Sequence, residues 1–194
     1  MSLDAAILGF LDEEPRSGYD LKTRCFDGVA RDFWTADQAQ IYRTLERLQA
    51  SRLVSVTRKR QSGKPDRKIY SLTELGAQTL SAWLASGLPL TSPRDAFLLQ
   101  LYFAASCSDG DLLTHLRARR ALHQARLDDL RADALAAANA TGVSARQASL
   151  RDAAFSGAMA TERAAIDWLD DCIEGLGSGA LPPANEALFG TTTA

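Results

Sequence analysis

The stretch TADQAQIYRTLERLQASRLVSVTRKRQSGKPDRKIYSL, residues 35–72, decides the fold. Thr35 with Gln38 three residues on has the form of a capping box and predicts a helix running to about Ser51. Within it Ile41, Leu45 and Leu48 fall at i, i+4 and i+7 and form the inward stripe. The opposite face carries Ala36, Ala39, Gln40, Arg43 and Arg47, where small residues permit close approach and long polar ones reach bases or phosphates. An ordinary solvated face has the same composition, so this helix alone does not decide the matter. The next segment does. Residues 54–60 and 67–72 are rich in Val, Ile, Tyr and Thr and alternate loosely around SGKPD, which predicts a β-hairpin. Arg58, Lys59, Arg60, Lys64, Arg67 and Lys68 decorate it.

Charge sharpens this reading. Between Arg43 and Lys68 nine Lys/Arg face two acids, Glu46 and Asp66, in a chain whose formal net charge is −2. A local basic field beside an exposed helix and a hairpin suits duplex DNA, with phosphates giving affinity and one element narrow enough for the major groove. The basic residues are unevenly spread. All four lysines lie in the first 68 residues, residues 1–90 sum to +2, and residues 91–194 sum to −4. The two halves are expected to do different work.

The 194 residues, 46% hydrophobic, suffice for one domain or two small ones. No run of 18 apolar residues occurs, so no membrane partner is expected. Asp4 and the lack of a basic flank argue against a secretory signal. Cys25, Cys107 and Cys172 are odd in number and far apart, which fits reduced thiols in a cytoplasmic protein better than disulfides or a metal knuckle. His115 and His123, the two histidines, lie eight apart with no third ligand at metal spacing. No Ser/His/Asp or Cys/His set and no Gly-rich phosphate loop is present, so neither an enzyme nor a cofactor is expected. Trp34, Tyr42 and Trp83 could stack on an aromatic effector, although packing is the commoner fate of such side chains.

Along the rest of the chain, residues 2–12 predict a short apolar helix. Ser17 with Asp20 predicts a capped second helix to about Asp27, and Thr73 caps a fourth, with Leu80, Trp83 and Leu84 on its apolar face. After a GLPLTSPR linker at 87–94, DAFLLQLYFAAS (95–106) is apolar on one side. A long helix follows, with Leu113, Leu116, Arg120, His123, Leu127, Leu130, Ala134 and Ala137 on an a/d-like seam. ATGVSA breaks it at 140–145. A last helix to Leu176 places Phe155, Met159, Ile166, Leu169, Ile173 and Leu176 at heptad-like spacing. Arg120 and His123 are the polar members of the first seam and are expected to fix dimer register.

Residues 1–86 resemble the PadR-type transcriptional regulators. The matching blocks are SGYDLKTR (17–24), FW (33–34), QIYRTLERLQASRLV (40–54) and RKIYSLTELG (67–76), at matching separations. The second half, from PRDAFLLQLYF through AIDWLDDCIEGL, resembles the C-terminal domain of the longer, virulence-activator-like members. Two departures stand out. Arg52 replaces the Gly usual before the Leu that ends the recognition helix, where an αL cap is slightly strained. Ser17 replaces a common His before the Gly-Tyr of helix two.

The expected fold is mainly α with a small β-hairpin wing: a winged helix-turn-helix DNA-binding domain at 1–88, an all-α dimerisation domain at 93–177 and a flexible tail at 178–194. For double-stranded operator DNA, Gln40 and Arg43 are the candidates for base edges. Tyr42, Arg47, Lys64, Arg67 and Lys22 are those for phosphates, with Ala36, Gln38 and Arg58 on the same surface. The resemblance supports Tyr42 more than its place on the wheel does. Leu98, Leu101, Phe103, Leu116, Arg120, His123, Leu127, Leu130, Ile166, Leu169 and Ile173 are expected to hold a homodimer. The function expected is a cytoplasmic repressor, released by a small aromatic or phenolic effector if one exists. A protein-interaction module built on a winged helix without autonomous DNA binding is the alternative.

Overall fold

The computed structural model of the chain describes residues 2–61, 64–89, 94–139 and 141–179, without the side chains of Ser2 and 60–66. The chain divides into two units, Met1–Thr91 and Ser92–Ala194. Among the described residues no helix is long and apolar enough to cross a membrane.

The first unit opens with α1 (Ser2–Glu13), whose Ile7, Leu8 and Leu11 are buried. Strand β1 (Arg16–Ser17) leads into α2, which starts as Gly18–Asp20 under a complete Ser17–Asp20 capping box. It continues over Leu21–Val29 with the wider i→i+5 spacing and breaks at Gly28 (φ −110°, ψ −114°). Helix α3 spans Gln38–Ala50. Its cap is Asp37, not Thr35: the Asp37 carboxylate accepts from Gln40 N while the Gln40 side chain accepts from Asp37 N. The expected start is therefore two residues early.

Strands β2 (Val54–Gln61) and β3 (Lys64–Leu72) form the wing, and β1 adds an edge to β3 to complete a three-stranded antiparallel sheet in the order β1-β3-β2. The sequence had not predicted that third strand, since two residues are too few for an alternation to register. Helix α4 (Glu74–Ala85) follows under the Thr73 cap. Ile41, Leu45 and Leu48 of α3 pack with α1, with Leu21, Cys25 and Phe26 of α2, and with Val54, Tyr70 and Leu80, in one core. Trp83 packs against its edge.

Helix α3 ends in a Schellman arrangement, with Leu53 N donating to Leu48 O (2.9 Å) and Arg52 N to Gln49 O (3.0 Å). Arg52 sits at the left-handed position, φ 58°, the single positive-φ non-glycine among the described residues.

The second unit holds α5 (Ala96–Tyr102), a 3₁₀ turn (Ala104–Ser106), α6 (Asp109–Ala138) and α7 (Ala145–Gly177). Helices α6 and α7 pack along each other as a hairpin. Leu116 meets Leu169, Cys172 and Leu176, with Phe97, Leu112, Leu113 and Ile173 beside them. The polar seam residues also pair inside the chain. Arg120 grips Asp170 with two bonds (2.6 and 3.0 Å), and His123 Nδ1 lies 2.6 Å from Glu162, which Arg126 also reaches at 2.9 Å.

These placements correct the expected dimer set. Leu116, Leu127, Leu130, Ile166 and Leu169 are buried within one chain, and Arg120 and His123 already hold intrachain partners. Leu98 and Phe103 are exposed and Leu101 and Ile173 half-buried, joined by exposed Leu99 and Tyr102, which the sequence reading had not singled out. Of the expected tail, residues 180–194 lie outside the described residues.

Candidate nucleic-acid interface

Helix α3 presents Gln38, Ala39, Gln40, Tyr42, Arg43, Glu46 and Arg47 to solvent, because the 3.6-residue period turns Ile41, Thr44, Leu45 and Leu48 into the core. Ala36 is the exception among the expected contacts. It precedes the helix and is 6% exposed, so it packs in the core and has no surface to offer DNA.

The same cap defines what Gln40 can do. Its Oε1 is taken by the Asp37 amide at 3.1 Å, which leaves its NH₂ group as a donor. A Gln held this way has its NH₂ available to donate to guanine O6 or N7, and one lone pair of Oε1 is still open.

Arg43 projects between Gln40 and Arg47 over a groove of about 490 Å³ bordered by Trp34, Thr35, Asp4 and Leu3. Trp34 is 42% exposed at that rim, a placement that its hydrophobicity alone does not predict. Arg47 pairs with Asp4 of α1 and Lys22 with Asp27. Tyr42 packs against Gly18: a Cβ built there would stand 2.7 Å from the Tyr42 ring, so the close approach of α2 and α3 needs glycine.

On the wing the register sets like charges against each other. Arg58 faces Lys68 and Lys59 faces Arg67 across β2 and β3. Directly opposed cations repel and destabilise a hairpin unless an anion or an acid relieves them. Arg67 has such relief: its guanidinium reaches Asp20 at 2.5 Å and the Ser17 hydroxyl at 2.9 Å. Burial pushes the Asp20 carboxyl up, but the Ser17 hydrogen bonds and then the Arg67 charge outweigh it, and the group lies below the usual carboxylate range. Arg43, Arg58, Lys59 and Lys68 are exposed and enter no ion pair among the described residues. The side chain of Lys64 lies outside the described residues.

Among the described residues no group of three His, Cys, Asp or Glu could hold a metal. The three cysteines are free thiols, and burial pushes Cys25 up to about 11, far from a reactive thiolate.

Residues 7–82 match the model of the transcriptional regulator PadR-like family, and residues 93–177 that of the virulence activator alpha C-terminal domain. A probable transcriptional regulator of Mycobacterium tuberculosis is 34% identical over 197 residues, covering 91% of this chain and 98% of that one. The negative transcriptional regulator PadR of Bacillus subtilis is 33% identical over 129 residues, 66% of this chain and 70% of PadR. The crystal structure of that PadR with operator DNA superposes with a TM-score of 0.78 at 26% identity, covering 91% of this chain and 99% of the other. Its complex with p-coumaric acid gives a TM-score of 0.74 at 27% identity, with 91% and 99% covered.

Proposed function

Because the chain belongs to the PadR-like family of transcriptional regulators, we propose that it is a homodimeric repressor that reads a palindromic operator. Helix α3 enters the major groove, where Arg43 and Gln40 meet base edges. Gln38, Tyr42, Arg47 and Lys22 hold the flanking phosphates, while Arg58, Lys59, Lys64 and Lys68 carry the wing along the backbone. The observation that carries this reading is the set of wing cations left without a carboxylate, Arg58 opposed to Lys68 with Lys59 beside them, which make sense beside a polyanion.

Dimerisation rests on the exposed apolar side chains of α5 and the residue after it, Leu98, Leu99, Tyr102 and Phe103, with Leu101 and Ile173. One winged helix covers few base pairs, and a two-fold pair reads two half-sites about one helical turn, or a multiple of it, apart. The chain acts in the cytoplasm, where its operator is. PadR of Bacillus subtilis binds p-coumaric acid, which supports a small phenolic or aromatic acid as the effector here.

The test is selection of bound fragments from the host genome by the full chain. A recovered palindrome, with release on adding a phenolic acid, is the expected outcome. No enrichment of any duplex, together with a salt-insensitive protein partner, would establish instead an interaction module.

A further inference from the structure

Arg67 stands on the wing, within the most basic stretch of the chain, yet its guanidinium points back into the fold. Ser17 belongs to β1, paired with β3 at Ser17↔Ile69, and is 3% exposed. Its hydroxyl donates to Asp20 Oδ2 (2.8 Å) and accepts from both Asp20 N (3.1 Å) and Arg67 Nη2 (2.9 Å). The same Asp20 oxygen takes the Ser17 amide (3.1 Å) and Arg67 Nη2 (2.5 Å). One hydroxyl and one carboxylate oxygen therefore join the cap of α2 to the wing, with the hydroxyl's donor and both acceptor sites used.

The residue after Ser17 is Gly18, on whose backbone the Tyr42 ring of α3 rests. The first turn of α2 thus touches both DNA-facing elements: α3 through Gly18 and Tyr42, the wing through Ser17, Asp20 and Arg67. We propose that Arg67 is a positioning residue, which clamps the wing to the start of α2 and fixes its angle to α3, and is not a phosphate contact. This rests on the DNA-binding reading above, which gives the wing its work.

Charge and geometry make opposite forecasts for Asp20→Asn. It removes a negative charge from the DNA-facing surface, so electrostatics alone predicts tighter binding. A broken clamp predicts looser binding, roughly three- to tenfold. Arg67→Gln should weaken binding to a similar degree, and the double variant should be no worse than either single one. The slope of log affinity against log salt should stay at the wild-type value in Arg67→Gln. A lost phosphate contact would lower it by about 0.9 per subunit.

Ser17→Ala changes no charge and gives the same test through a second residue, with weaker binding at an unchanged slope. Hydrogen exchange of β2 and β3 amides without DNA gives an independent readout, and protection should fall in all three single variants. Tighter binding by Asp20→Asn, a shallower slope in Arg67→Gln, or unchanged wing protection would each overturn the proposal. If the wild-type chain binds no duplex, the DNA reading fails, and the exchange measurement alone decides the clamp.

Discussion

Raising salt is the simplest perturbation of the proposed complex, and its magnitude can be worked from the ion pairs. Arg58, Lys59 and Lys68 are the described wing cations without a carboxylate partner, three in each chain, while Arg43 is assigned to base edges. Lys22, Arg47 and Arg67 are held by Asp27, Asp4 and Asp20. Leaving these paired cations out of the count sets a floor on the phosphates neutralised. A dimer then neutralises at least about six phosphates, and the log–log slope is about −5 or steeper. Arg60 and Lys64, if both engage, steepen it to about −9. Affinity should fall at least roughly a thousandfold between 50 and 200 mM salt, measured by fluorescence anisotropy on a labelled operator. Lys59→Ala should flatten the slope by nearly two, one phosphate lost from each half-site. A slope shallower than about −4 would refute the reasoning, since fewer phosphates would then be neutralised than the free cations alone provide.

Arg43→Ala should cost about 1–3 kcal/mol on the preferred operator and relax base preference, whereas Lys59→Ala should weaken all sequences alike; competition against scrambled duplexes distinguishes them. Gln40→Glu, which turns the available donor into an acceptor, should shift any preference for guanine at its base pair toward cytosine, read by binding-site selection. Phe103→Glu should yield a monomer by sedimentation with helix content unchanged, because that side chain is 69% exposed within its own chain and lies on the face assigned to the second subunit in the proposed dimer. Arg52→Gly should stabilise the first unit by about 0.5–1 kcal/mol in urea, relief of the left-handed backbone outweighing the greater freedom of glycine in the unfolded chain.

The sequence announced most of this architecture because its signals are local. The stripe Ile41, Leu45, Leu48, the Ser17–Asp20 box and the Thr73 cap all depend on residues within two turns of one another, and the structure has each of them. Arg52 was marked as the strained cap and takes φ 58°. The error at Ala36 arose where two overlapping boxes, Thr35 with Gln38 and Asp37 with Gln40, both satisfied the pattern; burial of Ala36 in the core made the choice, and burial is a tertiary fact. The same limit governs the seam of α6. A heptad stripe declares that something covers it without saying what, and the cover for Leu116, Leu127 and Leu130 lies within the same chain. Salt-bridge partners were invisible for the same reason: Asp4 lies 43 residues from Arg47, and Asp20 lies 47 (67 less 20) from Arg67.

The pairing of Arg120 with Asp170 and of His123 and Arg126 with Glu162 bears on how the second unit can move. Helix α6 has 30 residues, about 45 Å of rod, pinned to α7 at these two levels. Sliding one helix past the other by a single turn, about 5.4 Å, would pull both sets of partners apart. It would also strand Glu162, 9% exposed, as an uncompensated buried charge, at a cost of about 3–5 kcal/mol. Telescoping is thereby closed off as a way of carrying a signal along the hairpin. What remains is motion of the two helices together as a beam, in which a small tilt at one end becomes a displacement several times larger at the other.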